Sequence, residues 1–506
     1  MPELTQLRQS LMTLQEKLKA YNHAIALIYY DGATTAPRGT GENRAHTLGI
    51  LSGEHYQLST GEETRRLLEE LDAQRDGLTP SERRMTELLL KDIRQMSAIP
   101  MEEYTAYQEL LALADDAWHR AKEASDFPMF LPYLERIVET SRRFAQLIAP
   151  DRAPYDYWLS EYEDGLDTRA CDAFFETLRS RLVPLIFEIS HHPQVDDRCL
   201  YGAFPVTRQH ELSLYLMSLL RLSPDHVGLA TTEHPFTTSL GCHLDERITT
   251  HYLPEAFASS MYSVIHEGGH ALYDTGSRRE YAYTVLDGGV SMGVHESQSR
   301  FYENLLGRSR PFLTFLQPKL AQLFPSLSEV TPDQLFRAVN KVEPSLIRTE
   351  ADEVTYSLHV LIRYELEKRL MTGELPVKDL PGEWNRLYQE VLGVRVIDDR
   401  SGVLQDSHWS GGSIGYFPSY ALGNAYGAQL MAAMRESVDV DTCLASGDLA
   451  PINEWNRQHI WQHGKLTKPG DLMREAFRCQ SNPEGKFDPA VYLNYLEQKC
   501  REVYGL

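Results

Sequence analysis

The chain has 506 residues, 42% of them hydrophobic and 24% charged, which suits a folded protein with a sizeable core rather than a disordered one. Fifty Lys plus Arg against 72 Asp plus Glu leave a net charge of −22, and so acidic a surface repels nucleic-acid phosphates and anionic lipid. No run approaches the roughly 18 consecutive apolar residues that span a bilayer. The N-terminus is polar and helical before any apolar run, the wrong order for a secretory signal, so a cytoplasmic protein is expected.

Leu4, Leu7, Leu11, Leu14 and Leu18 recur at 3-4-3-4 spacing, which predicts a helix over residues 1–30 with one leucine face. Two heptads are too few for a coiled coil, so the stripe is expected to dock on the protein's own body. Amphipathic stretches at about 42–75, 80–122, 128–148 and 167–190 predict a helical first third. The Thr-rich segment 231–253 alternates in parts and predicts a short hairpin or small sheet. Helical pattern then returns almost to the end. No Gly/Ser linker, low-complexity tract or fixed repeat divides the chain, so one large, mostly α domain over 1–506 with a small β insert is expected. Six scattered cysteines without a C-x-x-C pair predict neither a disulfide framework nor a thiolate zinc site.

The chemistry concentrates at His266-Glu267-Gly268-Gly269-His270, within ASSMYSVIHEGGHALYD. Residues four apart share a helix face, so both imidazoles can bind one Zn²⁺, with Glu267 alongside as general base on a water activated there. Met261, Val264, Ile265, Ala271 and Leu272 predict that this helix is buried. Two glycines inside a helix cost roughly 1 kcal/mol each relative to alanine. Room for a substrate backbone is the favoured reason for them, and tight helix packing the alternative. Zinc needs a third protein ligand. The metzincin pattern would put Gly at 273 and His at 276, but Tyr273 and Gly276 stand there. A glutamate on a later helix is the other common solution. Residues 295–309 read as that helix, with Glu296 near its start and Glu303, Glu280 and His295 as rivals. Asp274 lies one turn after His270, where it can accept a hydrogen bond from a ligand's outer ring nitrogen or serve as a plain helix-terminal acid.

Several further motifs surround this one. In order they are His234-Pro235-Phe236, Asp245-Glu246-Arg247-Ile248-Thr249, the H-E-x-x-H, His295-Glu296-Ser297-Gln298, the Ile347–Asp352 run IRTEAD, and the Gly402–Trp409 run GVLQDSHW. In these, and in both ends of the chain, the sequence resembles the Taq-type metallocarboxypeptidases, also called thermostable carboxypeptidase 1. It departs at Tyr30-Asp31, where members usually carry Trp-Asp. The resemblance implies His266, His270 and Glu296 as metal ligands and Glu267 as general base. It also implies a cytosolic homodimer, activated by zinc or cobalt, that removes C-terminal amino acids with broad specificity, proline being the poor case. The implied fold is the helical deep-cleft zincin of neurolysin-like and angiotensin-converting-enzyme-like peptidases, with about 1–125 as a helical cover and about 230–430 carrying the motifs.

A carboxypeptidase must grip a free α-carboxylate, which the planar guanidinium of arginine does with two parallel hydrogen bonds. Arg348, expected on a helix, is the leading candidate and Arg400 the second. The plain alternative for Arg348 is a weak i,i+4 pair with Asp352. His408 and Tyr420 are candidate donors to the oxyanion of amide hydrolysis. Asp245 and Arg247 form either a structural ion pair or a wall of the substrate cleft, and His234 stays equally open. Two other readings remain: an oligopeptidase or dipeptidyl carboxypeptidase on the same fold, and a catalytically silent, metal-stabilised binding protein.

Overall fold

A computed structural model describes residues 3–506. Helix α1 (Leu4–Thr34) buries Leu7, Leu11, Leu14 and Leu18, the face that the spacing anticipates. The stretch expected over 42–75 divides at Gly61 into α2 (Gly41–Thr60), which buries none of its residues, and α3 (Glu62–Ala73). The 80–122 stretch divides at Pro100, which lacks the N–H that would continue a helix, into α4 (Pro80–Ala98) and α5 (Met101–Ala124). A Thr79–Glu82 capping box sets the start of α4. The leucine face of α1 meets Leu68 and Leu71 of α3 and Leu89, Leu90 and Ile93 of α4, with Tyr281 and Leu286 closing the cluster. Each leucine so buried is worth roughly 1.5–3 kcal/mol relative to exposure. The stripe therefore docks on the protein's own body.

Within the stretch expected to form the cover, α5 instead sends Tyr107, Leu110, Ala114 and Trp118 into a larger core. That core gathers α6 (Leu131–Ile148), α7 (Pro154–Tyr162) and α8 (Thr168–Ser190). After α9 (Val206–Leu220) comes the small sheet of β1 (Val227–Thr231), β2 (Thr237–Ser239) and β3 (Glu246–Thr250). The order is β1-β3-β2, with β1 parallel to β3 and β2 antiparallel, so β2 is an edge. The first strand begins ahead of the Thr-rich segment because buried Val227 anchors it.

Next are α10 (Phe257–Thr275) and α11 (Met292–Arg300), which runs on as a π-helix from Phe301 to Gly307 instead of the single α-helix expected over 295–309. The remainder comprises α12 (Arg310–Leu323), α13 (Pro332–Val339), α14 (Glu353–Thr372), α15 (Leu380–Val391) and α16 (Pro418–Met434). The chain closes with α17 (Val440–Ser446), α18 (Ala450–His459), α19 (Pro469–Ala476) and α20 (Pro489–Tyr504). A second large core collects α9 to α13 and α17 to α19. Helix α16 belongs to both cores, with Ala421, Leu422 and Ala425 in the first and Leu430, Met431 and Met434 in the second. Its middle is where the two cores meet. All six cysteines are free, and no helix of the described residues is long and apolar enough to cross a membrane.

Candidate metal centre and active site

Helix α10 is buried through Met261, Val264, Ile265, Ala271 and Leu272, leaving His266 and His270 on the face toward α11. Ser291 caps α11, and the buried Glu163 carboxylate accepts from Gly293 N–H at 3.1 Å. With that helix so placed, Glu296 Oε2 stands 3.7 Å from His270 Nε2 and 4.0 Å from His266 Nε2. Ligand atoms of the three residues all lie within 4.8 Å of one another. Two nitrogens and an oxygen bound tetrahedrally at the usual 2.0–2.2 Å would sit roughly 3.4 Å apart, so this donor set fits a divalent ion.

The outer atoms of these side chains are already committed. His266 Nδ1 bonds Glu303 Oε2 at 2.9 Å. His270 Nδ1 faces His295 Nδ1 at 2.6 Å, and His295 Nε2 reaches Asp274 at 3.0 Å. Arg300 donates to Glu296 Oε1 at 2.7 Å and to Glu303 Oε2 at 3.0 Å, leaving Glu296 Oε2 to point inward. Such outer bonds fix which nitrogen of each ring keeps its lone pair for a metal. Burial alone would raise the Glu303 carboxyl, but Arg300, His266 and Arg308 outweigh it and hold it well below the usual range. Asp274 thus meets His270 only through His295, one residue further out than expected. Of the rival ligands, Glu303 and His295 contact the outer ring nitrogens of His266 and His270, while Glu280 is exposed and paired with Arg278 at 3.5 Å.

Glu267 is buried, and Thr237 of β2 donates to its Oε2 at 2.7 Å and to its carbonyl oxygen at 3.0 Å. The two glycines that follow do not make room for a substrate backbone. A Cβ at 268 would lie 2.6 Å from Leu220 Cδ1, and one at 269 would lie 2.7 Å from the Gln298 carbonyl oxygen and 2.8 Å from Ser299 Cα. They let α10 close on α9 and α11. Gly423 of α16 does the same against Glu296, whose Cγ would be 2.6 Å from an added Cβ. Gly269→Ala should therefore cost about 1–3 kcal/mol, because the obstruction is backbone that cannot swing away. A thermal melt that matches wild type would contradict this.

Arg348 sits in a 3-10 turn ahead of α14, not on the helix, and Asp352 caps α14 by accepting from Val354 and Thr355 N–H instead of pairing with it. Arg348 is buried. Its Nε and Nη2 both face Asp406 Oδ1 at 2.9 Å, and its Nη1 donates to Tyr356 OH at 3.0 Å. Arg363 takes the other oxygen of Asp406 at 2.6 Å. Burial opposes the Asp406 charge, yet Arg363 and Arg348 hold its carboxyl far below the usual range. Two guanidiniums on one carboxylate leave one positive charge over. Asp406, Tyr356 and Arg363 escape the sequence reading; the only pointer to Asp406 is its place beside His408 in GVLQDSHW.

His408 Nε2 and Tyr420 OH are 3.1 Å apart. Burial pushes the His408 imidazole down to about 4 and the Tyr420 phenol well above its usual value, so both are neutral near pH 7. Tyr416, another residue the sequence reading passes over, has its ring centroid 4.9 Å from that of Tyr420. Asp245 and Arg247 form an ion pair at 2.7 Å, and the Arg247 guanidinium lies over the Tyr30 ring of α1 at 5.8 Å, joining sheet to cover. Arg400 is exposed in a turn whose backbone N–H donates to Ser125 Oγ at 3.1 Å, and His234 is also exposed.

The sequence matches the family described as Carboxypeptidase Taq (M32) metallopeptidase over residues 10–500. The chain belongs to this family. Carboxypeptidase 1 of Bacillus subtilis is 37% identical over 494 residues, 97% of this chain and 97% of that protein. Thermostable carboxypeptidase 1 of Pyrococcus furiosus is 34% identical, covering 92% of this chain and 94% of its own length. The crystal structure of an M32 carboxypeptidase from Deinococcus radiodurans R1 superposes with a TM-score of 0.95 at 34% identity, over 99% of this chain and 100% of that one. This carboxypeptidase is thus a metal-dependent peptide hydrolase on the helical zincin-like fold, and the oligopeptidase and silent-scaffold readings give way.

Proposed function

We propose that this metallocarboxypeptidase holds Zn²⁺, or Co²⁺ in its place, through His266, His270 and Glu296, and trims peptides of broad sequence from a free C-terminus. The observation that carries this is the convergence of three ligand atoms whose partner atoms are all held from behind. When bound, the ion supplies a Lewis acid that polarises a carbonyl and brings the pKa of water to about 7. Glu267 Oε2 takes the proton of the attacking water and hands it to the leaving amine, with Thr237 fixing the carboxylate's direction. Tyr420 and His408, neutral and adjacent, serve the developing oxyanion as one relay: His408 Nε2–H donates to the Tyr420 oxygen, and the Tyr420 hydroxyl donates toward the oxyanion.

Arg348 receives the substrate's α-carboxylate. A guanidinium carries five N–H groups, and the contacts to Asp406 and Tyr356 leave two of them uncommitted. The uncompensated charge of the Arg348–Asp406–Arg363 group supplies the attraction. Arg400 limits how far a peptide extends, and the Asp245–Arg247 pair forms a wall of the substrate cleft. The 506 residues work as one catalytic domain, because α10 and α11 come from one core and Arg348, Asp406 and Tyr420 from the other. The family resemblance supports a cytoplasmic homodimer that acts on peptides, and the net charge of −22 speaks against nucleic acid and anionic membrane as partners. Matched peptides with free and amidated C-termini test the reading. Amidation should lower kcat/KM by at least about 100-fold, since it removes the partner of a buried cation; equal rates would reject it.

A further inference from the structure

The proposed function sends the leaving residue beyond Glu296, to Arg348. The peptide upstream of the cleaved bond then lies on the other side, beyond His270, where a cavity of about 820 Å³ opens between α1 and β2. Thr237, the partner of Glu267, is one of its lining residues. Because β2 is a sheet edge, the backbone groups it does not share with β3 can pair with an extended peptide. Ile25, Ala26 and Tyr30 of α1, with Phe236, supply apolar lining, and Lys465 and His295 line the same cavity. A second cavity, of about 620 Å³, is lined by the same lysine and histidine.

The Lys465 backbone is fixed on both sides, while its amine has no ion-pair partner. Its N–H donates to the Leu286 carbonyl at 2.8 Å, and its own carbonyl accepts from Arg84 Nε at 3.1 Å. Among the described residues, no carboxylate lies within 4 Å of its amine, and of the three acids whose charge reaches it, Asp287, Asp274 and Asp92, the first two are already engaged. Asp287 is held by Lys19 at 3.3 Å and by the His243 ring, and Asp274 by His295 at 3.0 Å. Partial burial, with Lys19 nearby, disfavours the ammonium form and lowers its pKa against the opposing pull of Asp274, Asp287 and Asp92. An arriving carboxylate would relieve that cost.

We propose that Lys465 is a specificity determinant that receives the carboxylate of an aspartate or glutamate side chain lying upstream of the cleaved bond. The inference rests on the carboxypeptidase reading for the direction of the peptide, and on the two cavities and the unpaired amine for the preference.

The test uses short unblocked peptides identical except for Asp against Asn, or Glu against Gln, at each of three positions before the C-terminal residue. Wild type should favour the acid at one position by about 10-fold in kcat/KM, the size of one charge-assisted hydrogen bond. Lys465→Gln should bring that ratio to about 1 while cleaving the neutral peptides within about 2-fold of wild type, and Lys465→Arg should keep the preference. Three results would overturn the proposal: no acid preference in wild type at any position, a preference that survives Lys465→Gln, or an equal loss on acidic and neutral peptides in that variant. If wild type removes the last residue of no peptide at all, the carboxypeptidase reading falls too, whereas neutral cleavage without an acid preference overturns this inference alone.

Discussion

Glu267→Gln should lower kcat by about 10²- to 10⁴-fold, the usual contribution of a positioned general base. The substitution keeps shape and length, and Thr237 can still donate to the side-chain oxygen. What disappears is the capacity to take a proton from water and return it to the leaving amine. His266, His270 and Glu296, with Glu303, His295 and Arg300 behind them, are untouched. The variant should therefore hold its metal in the same stoichiometry, and KM should change little because ground-state contacts remain. Metal content by elemental analysis and steady-state rates check the two halves together. Normal turnover would remove Glu267 from the chemistry, and loss of metal would make it a structural residue.

Glu303→Ala should be the most disruptive change near the site that leaves all three ligands in place. Glu303 is buried and holds Arg300 and Arg308 at 3.0 Å each and the His266 ring at 2.9 Å. Removing one member of a buried ion group strands the others, which typically costs about 3–5 kcal/mol. Freed of its acceptor, the His266 ring can rotate or change tautomer, and losing such a partner usually weakens metal affinity by 10- to 100-fold. Competition against a chelator measures the second effect and denaturant unfolding the first. Glu280→Ala is the control: that side chain is exposed, so stability should stay within about 0.5 kcal/mol of wild type. Unchanged metal affinity in Glu303→Ala would show that the carboxylate does not orient His266.

The contrast between Glu296 and Glu303 shows where reading residues in order stops. Both are acids on one continuous helical stretch, seven residues apart, and each passes as a third ligand by type and spacing. The distinction arises where α10 and α16 pack on α11, contacts so close that Gly269 of α10 and Gly423 of α16 tolerate no Cβ. That packing turns Glu296 toward both Nε2 atoms and Glu303 toward the back of His266. The glycine pair is a similar case. A helix glycine announces that something is close, but a substrate and a neighbouring helix make the same demand on it. Arg348 is a third: its partner is not Asp352 in the adjacent turn but Asp406, 58 residues on. Asp352 was unavailable because the orphan N–H groups at the start of α14 had claimed it.

Local order was sufficient for anything encoded in a helical period. The leucine face of α1, the predominance of helix, the pairing of His266 with His270 and the placing of Glu267 beside them all follow from 3.6 residues per turn, and the ordered motifs carry the family. The folded chain alone placed Glu303 behind His266, put His295 between Asp274 and His270, neutralised half of the Arg348–Arg363 pair with Asp406, and left Lys465 without an ion-pair partner. These outcomes turn on distances of 3 to 4 Å between segments tens or hundreds of residues apart, and such distances are set by how closely helices cross, a property no single segment contains.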